Sequence, residues 1–444
     1  MFTALWLFNL VALAGLTVMA WSPKYGPLRG SAVNPLIIFV VFSLFFNINF
    51  AVLHERGTIN IFERAVPVSS VDILLGYVHY TVIFLAVGAG FIAAQLTTPL
   101  FYERKPRVDD LTRGRVVSAL LFAVIVVIGL MAAFIMLKSL ADILSGKLNR
   151  QMFFQSNVLL HVAYTLLCPG LAIFLAFRCP TRPISILATL CTVLILATTG
   201  SRGIVILVGF IYAIGLVLNG RRIPAQLYLV VIPVLGYLLA LARYLLRESW
   251  KFRSFAEFVE FRGGFGALFF NSAEVAMAEA ITVISSNLDL LGRPPFESFL
   301  GLAMFPMPRS IFTFKPLGAS SFLTATLSPN QWQWTKAEIL TTGYGDFIMQ
   351  FGLWWSFPLV AICAYVWLRA CMRAIHAPRW QSAIWLPFLI WWMYLFMRGS
   401  IFNVGASLWP FMMIFSAFSL VQRIRFRMDH HRDSDVPSGD PQYA

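Results

Sequence analysis

Charge is the scarcest resource in this chain. Only 12% of its 444 residues are Asp, Glu, Lys or Arg, where soluble domains carry about 25%. With 59% hydrophobic residues beside it, that shortage excludes an ordinary soluble fold. Negative charge is scarcer still: 20 acidic residues stand against 34 basic ones, a net +14. The surplus is not the footprint of nucleic-acid binding, because no basic stripe is interleaved with aromatics on a soluble segment. The five cysteines, Cys168, Cys179, Cys191, Cys363 and Cys371, lie in apolar runs or beside basic loops. None has metal-ligand spacing, so free thiols are expected, with neither disulfides nor a metal cluster. Also missing are a Walker A motif, a GxGxxG turn after a strand, HExxH, GxSxG, and DxD-type carboxylates in the long loop of residues 244–347. These absences argue against ATP-driven chemistry, a metal-held nucleotide-sugar and a serine hydrolase.

What the chain does have is a succession of apolar runs of roughly 20 residues, the length that crosses about 30 Å of hydrocarbon. A transmembrane barrel does not show continuous runs of that length. The reading is an all-α polytopic membrane protein with eleven spans near 3–21, 34–53, 73–96, 116–137, 158–177, 184–199, 203–219, 225–243, 348–368, 382–397 and 402–421. The first run lacks a basic stretch before it and reads as an uncleaved span. Ile184 to Leu218 is 35 residues, about 52 Å as one helix. Gly200 and Gly203 mark a turn that divides it into two short spans. The expected organisation is helices 1–8 over residues 1–243, a large loop with amphipathic helices over 244–347, helices 9–11 over 348–421, and a polar, disordered tail over 422–444.

Basic residues orient the spans. One set of loops holds Lys24, Arg29, Arg104, Lys105, Arg107, Arg113, Arg115, Arg178, Arg182, Arg221, Arg222, Arg369, Arg373 and Arg379, and the tail adds Arg423, Arg425, Arg427 and Arg432. These are expected to be cytoplasmic. The N-terminus, the large loop, Arg202 and Arg398 then fall on the outer side.

Arg202, in "ATTGSRGIVIL", is the only charged residue between Arg182 and Arg221. It reads either as an interfacial arginine snorkelling to headgroups or as an anion site. For the second, Gly-Ser-Arg-Gly at a helix start supplies free backbone N–H groups, the positive end of the helix dipole and a guanidinium. Arg398, in "YLFMRGSIFN", admits the same two readings. Arg243 and Arg247 are four apart and share a helix face. Residues 250–262 alternate as an amphipathic helix lying in the interface or packed on the spans. Residues 271–285 should form a helix bearing Glu274 and Glu279, and prolines shape the irregular loop that carries Arg293, Arg309 and Lys315. Trp332 and Trp334 are an interface anchor or a sugar-stacking platform, with Lys336, Glu338, Tyr344 and Asp346 close by. His79 and His161 read as buried structural histidines or as bases. Asp72 reads as a helix N-terminal charge.

Taken together, "TTGSRG" between two short helices, "FPMPRS" in the long loop, "TTGYGDFIMQFG" and "MRGSIFNVGASLWPF" resemble bacterial O-antigen and related polysaccharide repeat-unit polymerases, over about residues 180–420. Oligosaccharide ligases that load O-antigen onto lipid A share the plan. The resemblance implies a GT-C-like glycosyltransferase of the bacterial inner membrane with its active site facing the periplasm. Its donor would be a glycan on undecaprenyl diphosphate and its acceptor a sugar hydroxyl of another lipid-linked unit. Neither nucleotide nor metal is implied, and a chain-length regulator is an expected partner. The diphosphate role falls on Arg202, Arg309, Arg243 and Arg247, with Arg398 beside them. Candidates for the base, in order, are Glu338, Glu274 and His161. Trp332, Trp334, Lys336 and Tyr344 are the expected substrate contacts. A ligase and, from another class, a transporter or flippase are the competing readings. Transporters usually carry internal repeats and broken helices at the midplane.

Overall fold

The computed structural model describes residues 1–61, 64–99, 108–144, 158–197, 202–231, 252–261, 277–305, 312–335, 341–399 and 408–420, with positions 234, 237, 241, 244, 264 and 307. It is mostly helical. The longer helices are α1 (Phe2–Met19), α2 (Pro35–Arg56), α3 (Ser70–Thr97), α4 (Val108–Leu144), α5 (Val158–Ala176), α6 (Pro183–Ala197) and α7 (Arg202–Leu218). Short helices follow: α8 (Phe255–Phe261), α9 (Met277–Ser286), α10 (Leu288–Leu291), α11 (Glu297–Ala303), α12 (Ala319–Leu327) and α13 (Pro329–Thr335). The chain closes with α14 (Thr342–Ile375), α15 (Arg379–Arg398) and α16 (Leu408–Leu420). Among the described residues, five helices are long and apolar enough to cross a membrane: α1, α2, α3, α4 over Arg115–Leu137, and α14. About half of the expected eighth span, 225–243, lies outside the described residues.

Among the described residues, one element departs from the all-helical expectation. An antiparallel hairpin, β1 (Thr58–Ile61) with β2 (Arg64–Pro67), follows α2 and pairs Ile59 with Val66. The turn into it is built by Gly57, which takes a left-handed conformation at φ 62° and donates its N–H to Leu53 O at 2.9 Å. Such a glycine satisfies an orphan carbonyl at a helix end without a Cβ penalty. Asn34 starts α2. Its Oδ1 accepts from Leu36 N at 2.9 Å, while its Nδ2 donates to Ala20 O and Leu28 O, each at 3.1 Å. One side chain thereby caps a helix and ties it to the end of α1. Ser69 caps α3 through Asp72 N at 3.0 Å, and Asp72 is the first-turn charge expected of it.

Side-chain contacts fix how the helices run. Phe2 stacks on His54 and touches Tyr77, so the start of α1 lies with the end of α2. Phe39 meets Phe91, and Phe50 meets Tyr77, which makes α2 and α3 antiparallel. Gly129 lies against Leu167 and Gly170 against Ile125 in the α4–α5 pair. Arg115 Nε donates to Phe177 O at 3.1 Å, closing that pair at the start of α4. Arg379 at the start of α15 holds Asn219 beyond the end of α7, so these two packed helices are antiparallel. Phe418 of α16 contacts Phe177 and Trp380. One end of the molecule therefore collects Lys24, Arg29, Arg115, Arg178, Arg182, Arg221 and Arg379. The opposite end collects the start of α1, the ends of α2 and α15, and the starts of α3, α5 and α7.

Aromatic rings fill the centre. Phe39, Phe46, Phe50, Tyr77, Tyr80, Phe84, Phe91 and Tyr344 are all at most 1% exposed and meet in stacked, tilted or edge contacts. The outside is apolar as well. Val116, Leu120, Val124, Val127 and Met131 of α4 are exposed, as are Ile184, Leu187, Leu190 and Leu194 of α6. Stripes of that length are rare on soluble monomers and suit a hydrocarbon surround.

Candidate functional site

The residues singled out in the sequence are candidates because they would place cationic groups at the end away from the main arginine set. Of the five arginines expected to hold a diphosphate, Arg398 is the one whose side chain is described. It is the last residue of α15 and is half-buried. Its Nη1 donates to Tyr394 Oη at 2.6 Å, one turn earlier, and its guanidinium carbon lies 5.8 Å from the Tyr394 ring centroid. Its Nε is buried and has no acceptor. Among the described residues no carboxylate pairs with it. A guanidinium carries five N–H donors and keeps its charge at any ordinary pH. One held half out of water, without a counter-charge, is suited to an anion that arrives from elsewhere.

Arg202 opens α7, immediately after the segment that separates it from α6. The long apolar run is thus broken where the glycines predicted. The antiparallel packing of α7 on α15 brings the first residue of α7 to the same end as Arg398. The Arg202 side chain lies outside the described residues, but its place at a helix start is the dipole position the anion reading requires. His161 sits in the first turn of α5, at this end too, and its side chain is likewise not described.

Other groups at this end are engaged. Arg56 forms an ion pair with Glu279 and donates Nε to Thr58 O at 2.7 Å. His79 Nδ1 lies 2.8 Å from Ser285 Oγ in a buried contact, which is the structural role expected of it. Tyr344 is completely buried between Phe46, Tyr80 and Phe396. It offers no face to a sugar, so the expected substrate contact is in this structure part of the aromatic core. Trp332 is half-buried on α13, and Trp334 shares that helix with its side chain undescribed. Arg243, Arg247, Glu274, Arg309, Lys336 and Glu338 lie outside the described residues.

A buried polar cluster was not anticipated. Arg293 Nε donates to Glu297 Oε2 at 2.8 Å and Nη1 to Ser298 Oγ at 3.3 Å. Its Nη2 donates to Leu317 O at 2.7 Å, and Nη1 stands 3.6 Å from Asp346 Oδ1. The same carboxylate oxygen accepts from Ser298 Oγ at 2.7 Å and from Gln350 Nε2 at 2.8 Å. Arg293 and Asp346 are both wholly buried at the side chain. The cluster is well supplied with partners on both sides, so it clamps the loop onto the start of α14 rather than presenting a charge. The spacings Arg293–Glu297 and Asp346–Gln350 were the available signals. Nothing in the sequence joined the two pairs.

Fold and site together define a class: a helical, membrane-embedded protein whose end opposite the main arginine set bears a half-buried guanidinium without a counter-ion among the described residues. No family, no characterised protein and no solved structure matches the chain closely enough to place it more narrowly.

Proposed function

We propose that this protein is an integral-membrane glycosyltransferase that joins lipid-linked oligosaccharide repeat units at the periplasmic face of a bacterial inner membrane. The observation that carries the reading is Arg398, a half-buried guanidinium with an unpartnered Nε, at the same end as the helix start at Arg202. A polyprenyl diphosphate leaving group brings roughly two negative charges to such a site, and more charge develops on it as the glycosidic bond breaks. Cations already in place in a partly dry site stabilise that change by about 3 kcal/mol each. The acceptor hydroxyl loses its proton to a carboxylate or imidazole, a contribution of about 10²–10⁴-fold. Glu338, Glu274 and His161 remain the candidates in that order. One direct displacement inverts the anomeric carbon.

The test is the acceptor. Purified protein in nanodiscs, given an undecaprenyl-diphosphate-linked glycan alone, should build a ladder of longer lipid-linked products with inverted linkages by NMR. Transfer only when lipid A core is added would make it a ligase. No transfer with either acceptor, together with movement of the lipid-linked glycan across the bilayer, would make it a transporter and end the proposal.

A further inference from the structure

The opposite end of the molecule holds a second feature, which the proposed reaction does not use. Four elements meet there: the start of the apolar part of α4, the turn between α5 and α6, the end of α7 and the start of α15. Arg178 lies at the centre. Its Nη2 donates to Arg115 O at 3.1 Å, its Nη1 to Ser118 Oγ at 3.4 Å, and its guanidinium carbon stands 4.2 Å from the Phe174 ring centroid. Arg115 in turn donates Nε to Phe177 O at 3.1 Å. Tyr212 Oη of α7 donates to Pro180 O at 3.3 Å, which holds the turn against that helix. Arg379 reaches across to Asn219 Oδ1 and keeps its Nε buried without an acceptor. Arg182 and Arg221 are exposed beside them.

Burial first, then the charges of Arg115 and Arg182, hold Arg178 below the usual arginine range. Burial first, and the charge of Arg115 after it, also hold Arg379 below the usual arginine range, while Cys179 acts the other way. Cys179 lies among these charges: hydrogen bonds involving Thr181 first, then Arg182 and Arg221, lower its thiol. Among the described residues none of these arginines is paired with a carboxylate. A bias towards basic cytoplasmic loops explains arginines scattered over an end. It does not explain several converging on one turn, two of them half-buried and one with an orphaned buried donor. Each keeps donors beyond those already used, and guanidinium forks match phosphate oxygens.

We propose that the arginines around Cys179 form a binding site for the phosphate of an anionic phospholipid headgroup, between α4, the α5–α6 turn, α7 and α15. The position at helix ends is the level at which headgroups lie, and basic pockets between spans are a recurrent site for them. The exposed apolar stripes of α4 and α6 beside it are suited to the acyl chains.

The experiment is native mass spectrometry of the full-length protein released from nanodiscs that hold phosphatidylglycerol and phosphatidylcholine in equal amounts. The wild type should retain phosphatidylglycerol selectively. The variant Arg178→Gln/Arg379→Gln should retain about tenfold less, as loss of charge-assisted contacts predicts. Arg29→Gln, which removes a charge from the same end outside the cluster, should retain as much as the wild type. Equal retention of the two lipids by the wild type would overturn the site, as would an equal loss in Arg29→Gln. Should the double variant not yield folded protein, the wild type alone decides by alkylation of Cys179, followed by peptide mapping. Phosphatidylglycerol should slow that reaction several-fold relative to phosphatidylcholine, and no slowing sinks the proposal. Inorganic phosphate at millimolar concentration is the control for source. Protection of Cys179 by phosphate in pure phosphatidylcholine, as strong as that by phosphatidylglycerol, would assign the site to a soluble anion and overturn the lipid.

Discussion

At the scale of single residues, the interior separates hydroxyls that hold something from hydroxyls that hold nothing. Tyr77 Oη donates to Asn47 Oδ1 at 2.6 Å, and both residues are buried. Tyr344 is equally buried, and its Oη makes no hydrogen bond among the described residues. Tyr77→Phe should therefore cost about 0.5–2 kcal/mol, because Asn47 is left without its donor. Tyr344→Phe keeps the ring in its aromatic contacts and should be neutral or slightly stabilising. Thermal unfolding in one detergent compares the two, and equal losses would mean that Tyr344 Oη has a partner after all. The Arg293 cluster gives a sharper contrast. Arg293→Met leaves Asp346 buried and unneutralised, a loss of about 3–5 kcal/mol. Arg293→Met with Asp346→Leu removes both charges and should recover much of that loss. A double variant no more stable than the single one would show that the clamp depends on the hydrogen bonds of Ser298 and Gln350 rather than on the charge pair.

At the scale of elements, close helix packing depends on glycines that differ sharply in what surrounds them. A Cβ on Gly90 of α3 would lie 2.2 Å from Ala361 O and 2.9 Å from Ala364 Cβ of α14. Gly88, two residues away on the same helix, has nothing within 4 Å. Gly90→Ala must push α3 and α14 apart and should destabilise by about 1–3 kcal/mol. Gly88→Ala gains helix propensity, about 0.5–1 kcal/mol. Opposite shifts in unfolding temperature are the expected outcome, and parallel shifts would place the α3–α14 contact elsewhere. That the chain is built mostly of apolar helices was legible because apolar length is a local property, and the division between Ala197 and Arg202 shows a turn that its glycines marked. The hairpin at Thr58–Pro67 was not legible, since four-residue strands carry too little alternation to register. Nor was the seating of α9, which places Ser285 against His79 across 206 positions of sequence. Side-chain periodicity reports that a helix has a buried face and says nothing about which distant helix covers it. The same limit applied to Arg293 and Asp346, each visible as a polar residue in a loop or at a helix start, neither visible as the other's partner. It applied also to Tyr344, whose neighbours Phe46 and Tyr80 come from α2 and α3.

At the scale of the whole molecule, arginine is used in two ways that its two ends keep apart. At the end bearing Arg115, Arg178, Arg182 and Arg379 the cations are many, and the proposed orientation puts them on the side that membrane insertion favours. At the far end, among the described residues, Arg56 is paired with Glu279 and Arg293 with Glu297 and Asp346, while Arg398 has no carboxylate partner. In the proposed orientation, an arginine that insertion does not favour, and that no described carboxylate answers, persists at a cost unless a ligand uses it. That asymmetry separates the two readings of Arg398. A snorkelling arginine needs only a long cation, so Arg398→Lys should preserve it. A phosphate-holding arginine needs the planar fork, so Arg398→Lys should fail in part and Arg398→Ala almost wholly. With about 3 kcal/mol of transition-state stabilisation at stake, chain extension by Arg398→Ala should fall by about two orders of magnitude, with Arg398→Lys between it and the wild type. Arg202→Ala should behave like Arg398→Ala. Membrane abundance of all three variants should match the wild type, because none removes a described ion pair. Product ladders from cells, normalised to the protein present, measure this. Long ladders from both alanine variants would return Arg202 and Arg398 to the headgroup region and leave the reaction without its cradle.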